Sequence, residues 1–422
     1  MSRPLRESEA GTGFDPGPLR SLFPLLDKAG PSLHYLDNAA TTHKPAAVID
    51  AVADCYRRQY GPVHRGLYGL AEDASELYES ARTAVGKMIG VPDSGQLIFT
   101  RSATESINLV ARGWARGRLR AGNEIWVTAL EHHSNYLPWQ AICRETGARL
   151  RVIECRTTAS HAAGGLDLEA ADGLFGERTR LIAIGHVSNV LGVTNPVRTI
   201  VEEAHGRGIA VLVDGAQAVG HTAVDVAALG CDFYAFSAHK MYGPTGIGAL
   251  YAAPGRAEEM EPLLLGGGMV DEVGASSSEW LPAPAKHEAG SPNLAGAAGF
   301  AAAAEFTGGH MLGPAERHVN ELAAAAEAAL RTIAGITYYG PPPEARRSGI
   351  VSFNVENVHP HDVTQIAAAH GVALRAGHHC CQPLMRRLGV PGTVRASFAP
   401  YNVRADVDAL IESVHDAIDT FA

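Results

Sequence analysis

Cysteine is scarce in this chain. Six cysteines in 422 residues are too few for a disulfide scaffold. No Cys-x-x-Cys occurs, which excludes a zinc ribbon and a thioredoxin-type redox motif. A reducing compartment follows, and a cytoplasmic protein is expected. Positive charge is also short: 35 Lys and Arg stand against 45 Asp and Glu, a net charge of -10. The basic residues are scattered singly or in pairs such as Arg57–Arg58, so the footprint that captures nucleic-acid phosphates is missing. Long hydrophobic runs are missing too. The most apolar stretch, Leu294–Ala304, is mostly Ala and Gly, and a membrane span needs about 20 such residues. The first residues mix charges without an apolar core, so no signal peptide and no membrane partner are expected.

What is present is an ordinary globular composition, 46% hydrophobic, and a length that suggests about two or three domains. Residues 1–30, rich in Gly, Pro and charge, read as an N-terminal arm packing on a small domain. Residues 31–295 read as a large domain. In it short apolar runs (Leu97-Ile-Phe, Glu124-Ile-Trp-Val-Thr, Leu150-Arg-Val-Ile, Leu181-Ile-Ala-Ile, Ala210-Val-Leu-Val, Phe233-Tyr-Ala-Phe) alternate with helical patterns such as Ile107, Val110, Ala111, Trp114. That alternation predicts a mostly parallel sheet covered by helices on both faces. Residues 262–293 are rich in Gly, Ser and Pro and read as a functional loop without core elements. Residues 296–422 read as a smaller α+β domain. It has a period-two strand at Val351-Ser-Phe-Asn-Val, a helix stopped by Gly371, short strands near Val372–Arg375 and Val394–Phe398, and a final amphipathic helix.

The chemistry gathers at strand ends. In open α/β sheets ligands bind beyond the carboxyl ends of strands. One apolar strand runs into Asp214-Gly-Ala-Gln217, which alone reads as a turn. The next runs into Ser237-Ala-His239-Lys240, followed by Gly243, Gly246 and Gly248. A lone Lys after a strand is usually a solvated charge. Here glycines allow close backbone approach to a ligand, and lysine is the side chain that condenses with aldehydes. A lysine for an aldehyde and an aspartate for a pyridinium nitrogen, one crossover apart, make a minimal site for pyridoxal 5′-phosphate (PLP). Thr100-Arg-Ser102-Ala103-Thr104 opens a helix and suits a phosphate, although a plain capping box reads equally well there. Ser237 and His239 stand close enough to donate to the same phosphate. An imidazole from Glu131-His132-His133 suits stacking on the ring.

Taken in order, these motifs resemble the class V aminotransferase group of fold-type I PLP enzymes, and more narrowly the SUF-type (group II) cysteine desulfurases. The matching blocks run from Tyr35-Leu-Asp-Asn-Ala-Ala through Val63-His64-Arg65-Gly66, His186-Val-Ser-Asn189, Glu288-Ala-Gly-Ser291-Pro-Asn and Arg375-Ala-Gly-His-His-Cys380 to Arg395-Ala-Ser. The resemblance implies a large domain built on a seven-stranded sheet plus a smaller C-terminal domain. It implies Lys240 as the lysine that holds the cofactor and Asp214 as the partner of its ring nitrogen. Gln217 and Asn189 would face the ring hydroxyl, and His132 would stack on the ring and move protons. Ala103, Thr104, Ser237 and His239 would serve the phosphate, joined by Ser291 from a partner subunit, which implies a homodimer. Arg395 would hold the substrate carboxylate, with Asn189, Arg375 and His64 also on the substrate side.

The resemblance also implies Cys380 as the nucleophile that takes sulfur from L-cysteine, leaving L-alanine and a persulfide. A SUF-type acceptor protein would then receive the sulfur for iron–sulfur cluster or other sulfur-containing cofactor assembly. Three positions depart from the pattern: Ser291, where Thr is usual, Cys381, where a small residue is usual, and His287, where an aromatic is usual. Adjacent residues His378 to Cys381 diverge too much to share one ion, so no metal is expected. Selenocysteine lyase, or another class V lyase or aminotransferase, is the alternative.

Overall fold

The computed structural model describes residues 14–64, 66–156, 164–167, 175–341 and 347–421. The first part of the expected arm, 1–13, and Arg65 of the Val63–Gly66 motif lie outside them.

Seven strands form the large sheet: β1 (Leu97–Thr100), β2 (Glu124–Thr128), β3 (Arg149–Ile153), β4 (Thr179–Gly185), β5 (Ala210–Asp214), β6 (Phe233–Ser237) and β7 (Gly248–Ala252). Their order is β1-β7-β6-β5-β4-β2-β3. Pairs within β6-β5-β4-β2-β3 are parallel, and β7 runs antiparallel to both its neighbours. Six of these strands were legible as apolar runs. The seventh, Gly-Ala-Leu-Tyr-Ala, is too rich in small residues to stand out.

Alternate residues of each strand feed two cores. Leu97, Phe99, Trp126, Ile182, Val211, Tyr234 and Phe236 point to one face, and Ile98, Ile125, Val127, Leu181, Leu212, Phe233 and Ala235 to the other. This is the pattern of a sheet buried on both sides. The apolar run Leu294–Ala304 lies in a helix, Leu294–His310, that packs on helices Ala46–Asp54 and Gly69–Met88 beside the first of these cores.

A third core holds the second unit. Strands Ile336–Tyr339, Ile350–Val355, Thr393–Ser397 and Arg375–Gly377 form an antiparallel sheet in that order. Helices Pro314–Leu330, Pro360–Ala369 and Arg404–Phe421 close over it. Gly371 takes φ 74°, which lets the chain leave the Pro360–Ala369 helix. Leu36 also sits in this core, because His34–Tyr35 pairs with Val372–Ala373. The described part of the 1–30 segment folds as two short helices, Pro16–Ser21 and Pro24–Ala29. Phe23 fills the junction of the two units, stacking edge-on against Tyr401 at 4.7 Å and Tyr242 at 6.1 Å.

The 262–293 stretch is not a structureless loop. It carries a hairpin, Val270–Val273 with Ser278–Trp280, whose Gly/Ser-rich turn hid two short strands.

Gly215 follows Asp214 at the end of β5, and the buried ring of Tyr234 lies where its side chain would be. Gly215→Ala is predicted to destabilise the chain by about 1–3 kcal/mol through overpacking, seen as a lower Tm in scanning calorimetry. An unchanged Tm would contradict this packing.

Candidate active site

The carboxyl ends of β1, β2, β4, β5 and β6 open into one cavity of about 250 Å³, closed on its far side by the second unit. Twelve of the fourteen residues expected at the site line it: Ala103, Thr104, His132, Asn189, Asp214, Gln217, Ser237, His239, Lys240, Arg375, Cys380 and Arg395. Ser291 and His64 do not. They line a separate cavity of about 650 Å³ with Tyr78, Arg82 and Glu288, and His64 Nε2 lies 3.3 Å from Glu79.

Each side chain is set by its strand end. Asp214 accepts from the Ala216 amide at 3.0 Å. Burial raises its pKa, offset by that amide and by Lys240. Burial lowers the pKa of Lys240, which makes it a better base, while Asp214 pulls the other way. The Gln217 amide donates to the Ala39 carbonyl at 2.7 Å. His132 Nδ1 accepts from the Ser134 amide at 3.1 Å, so the neutral ring carries its proton on Nε2. Burial first, then Lys240, pushes its pKa down to about 3.

The anion end of the cavity is rich in hydroxyls. Thr104 and Ser134 share a hydrogen bond at 2.7 Å, and the Ala103 amide donates to Ser237 Oγ at 2.8 Å. His239 Nδ1 lies 3.3 Å from Thr41 Oγ1, and burial lowers its pKa to about 4. This set fits the cofactor that the resemblance implies: an amine for the aldehyde, a buried carboxylate for the ring nitrogen, and hydroxyls at a helix N-terminus for the phosphate.

On the substrate side, Arg395 is 2% exposed. It donates to the Asn189 carbonyl at 2.8 Å and to Asp37 at 3.0 Å, while its Nε is buried without a partner. Arg375 lies 3.6 Å from the other Asp37 oxygen. Asp37 thus stands between both expected carboxylate-binding guanidinium groups, a role its place in Tyr35-Leu-Asp-Asn did not disclose.

The two adjacent cysteines diverge. Cys380 lines the cavity, while Cys381 is fully buried beneath it. Burial and the nearby Glu131 push the Cys381 thiol up, away from the reactive thiolate. Cys380 and His379 both take left-handed backbone, with φ 55° and 50°. Such conformations persist only where surrounding contacts over-determine them. At His379 these are the Asn189 side chain on its carbonyl at 2.8 Å, and Thr393 at 3.0 Å from its ring.

Glu131 was also missed. Buried in the cavity wall, it accepts from Thr128 at 2.6 Å, Asn135 at 2.6 Å and the Gly185 amide at 3.0 Å. Burial drives its pKa up to about 7 against those three bonds. It was visible only as the first letter of Glu-His-His. His287 tucks under the Ala257 carbonyl at 2.8 Å, away from this cavity.

The family model for aminotransferase class-V matches residues 34–410. The chain belongs to that family. Among class V relatives, one from Halalkalibacterium halodurans named probable cysteine desulfurase is 46% identical over 405 residues, spanning 96% of this chain and 98% of its own. The solved structure of the cysteine desulfurase CsdA from Escherichia coli superposes with a TM-score of 0.88 at 41% identity, covering 97% of this chain and 100% of that one. The apo cysteine desulfurase from Thermococcus onnurineus NA1 gives 0.89 at 35%, with the same coverage. These names carry the desulfurase class but not the SUF-type subclass.

Stability should respond to acid. The folded chain holds His43, His221 and His239 near pKa 4, and His132 and His379 near 3, all against 6.5. A depressed pKa means the unfolded chain binds the proton first, so stability present above about pH 6.5 is lost as pH falls. Glu131, raised from 4.5 to about 7, acts oppositely but is outnumbered; Asp214 shares its direction. The Tm of the cofactor-stripped chain is predicted to drop between pH 7 and pH 5, and less so in His379→Gln. A Tm that holds or rises at pH 5 would contradict these burials.

Proposed function

We propose that the chain is a PLP-dependent cysteine desulfurase: L-cysteine enters, L-alanine leaves, and the sulfur stays on Cys380. The observation that carries this reading is a half-exposed thiol, held on left-handed backbone at the rim of the cavity that also contains Lys240 and Asp214. A transaminase needs no such thiol. The relatives' names support the same reading.

The residues divide the work. Arg395 binds the substrate carboxylate, a bidentate task suited to guanidinium, with Asp37 moving aside or sharing. Asp214 would balance positive charge at the ring nitrogen, and Thr104, Ser237 and His239 would hold the phosphate. When bound, PLP supplies the electron sink that makes the Cα proton of the substrate acidic. Lys240 Nζ takes that proton, its basicity matched to the task by burial. The Cys380 thiolate attacks the substrate sulfur. The S–S bond forms as the Cβ–S bond breaks and leaves its electron pair on the carbon side; one proton completes the methyl group of alanine at Cβ, and a second returns to Cα. His132, neutral with Nε2–H, is placed to relay one of them.

The wider context is proposed on the same footing. Ser291 and His64 line a broad cavity with exposed Tyr60, and Leu67, Tyr68 and Leu70 are exposed close by in sequence, which supports a homodimer whose partner brings these residues to the site. The short Arg375–Pro383 stretch restricts travel of a persulfide and supports a docked acceptor protein of SUF type, serving iron–sulfur or other sulfur-containing cofactors in the cytoplasm. No helix among the described residues is long and apolar enough to cross a membrane.

Cys380→Ala is predicted to abolish alanine release from L-cysteine while the visible absorbance of the bound cofactor persists, and Cys381→Ser is predicted to retain turnover. Undiminished turnover in Cys380→Ala would overturn the assignment. Light scattering is predicted to give a dimer; a fully active monomer would contradict the shared site.

A further inference from the structure

We infer that His133 is a positioning residue: a clasp from the large unit that holds the Cys380 loop in its high-energy shape. The inference rests on Cys380 being the nucleophile and deepens that reading.

The loop from His378 to Gln382 belongs to the small unit in sequence, yet it leans on the turn after β2. The His133 backbone N–H donates to the Cys380 carbonyl at 2.7 Å. The His133 ring then takes the Gln382 amide on Nε2 at 3.3 Å. So one residue grips the chain on both sides of Cys381, from 249 residues away in sequence. The His133 and His378 rings lie 5.6 Å apart at 37°, and His378 Nδ1 in turn accepts from the Cys380 amide at 3.1 Å.

These contacts stand against a cost. Left-handed backbone disfavours a non-glycine residue by about 1–2 kcal/mol each, and His379 and Cys380 both adopt it. Released, the two residues relax toward ordinary backbone, and Cys380 swings from the cavity toward solvent. The Gln382 amide is among the first N–H groups of the helix Gln382–Leu388, which have no partner inside the helix. The bond to His133 therefore both satisfies that group and fixes the loop's exit. Only a ring with an unprotonated Nε2 can accept it, and burial followed by His378 lowers the His133 pKa in that direction.

Two variants of the cofactor-loaded enzyme separate positioning from bulk packing. His133→Leu keeps the backbone bond and loses the ring acceptor. His133→Gln restores an acceptor at a similar reach. The readouts are the rate of Cys380 alkylation by iodoacetamide, followed by peptide mass, and the rate of alanine formation. In His133→Leu, alkylation is expected to rise about fivefold, the weight of one neutral hydrogen bond. Alanine formation is expected to fall by up to about 100-fold, the cost of a misplaced reacting group. His133→Gln is expected to recover most of both. Opposite movement of the two rates, with rescue by Gln, is the signature of a displaced nucleophile. Wild-type rates in His133→Leu would overturn the inference, and so would equal loss in both variants with a lowered Tm. Either failure leaves the function standing if Cys380→Ala is inactive, whereas an active Cys380→Ala removes the function itself.

Discussion

Everything at this site depends on withdrawing a lysine and an aspartate from water at the same edge of one sheet. Parallel strands put their carboxyl ends together, so the residues after β5 and β6 arrive side by side without long-range design. Burial then pushes Asp214 towards its neutral form and Lys240 towards the free amine, while each resists the other's shift. A cofactor that carries a ring nitrogen and an aldehyde relieves both. The same dry setting lowers the pKa of His132 and His239 and keeps both rings neutral.

The second constraint is the junction between the two units. The large unit brings Lys240, Asp214 and the hydroxyl-rich end to the cavity. The small unit supplies Arg395 and Cys380. They are registered by polar clasps: Arg395 on the Asn189 carbonyl, Asn189 on the His379 carbonyl, and His133 on both sides of Cys381. Phe23 and Tyr401 add an apolar plug at the same seam. Thus the thiol is not carried on a free arm. It is held in unfavourable backbone by groups that belong to the other unit, which couples loop shape to the relative placement of the two halves.

Much of this was legible in the sequence because strand ends are marked by composition. An apolar run that stops at Asp214 or Ser237 states where a ligand-facing group will sit, and twelve expected residues do share the cavity. The β7 strand was not legible, since Gly-Ala-Leu-Tyr-Ala lacks the branched residues that mark a strand. Asp37 escaped because its partners, Arg375 and Arg395, come from the far end of the chain, and pairing over such a distance leaves no local pattern. Glu131 escaped because sequence does not report burial, and a carboxylate beside two histidines reads as surface charge. His133 escaped because its most telling contact is through its backbone. Ser291 stands apart from the cavity, as a residue expected to serve a partner subunit would; His64, expected on the substrate side, stands apart as well and lines the other cavity.

The proposed chemistry passes sulfur to Cys380 rather than to its buried neighbour. The most direct test is mass spectrometry of the loaded enzyme after brief exposure to L-cysteine, with the peptide bearing both thiols fragmented between them. One added sulfur atom is expected on Cys380 and none on Cys381. Sulfur found on Cys381, or alanine formed with no sulfur on either residue, would contradict it.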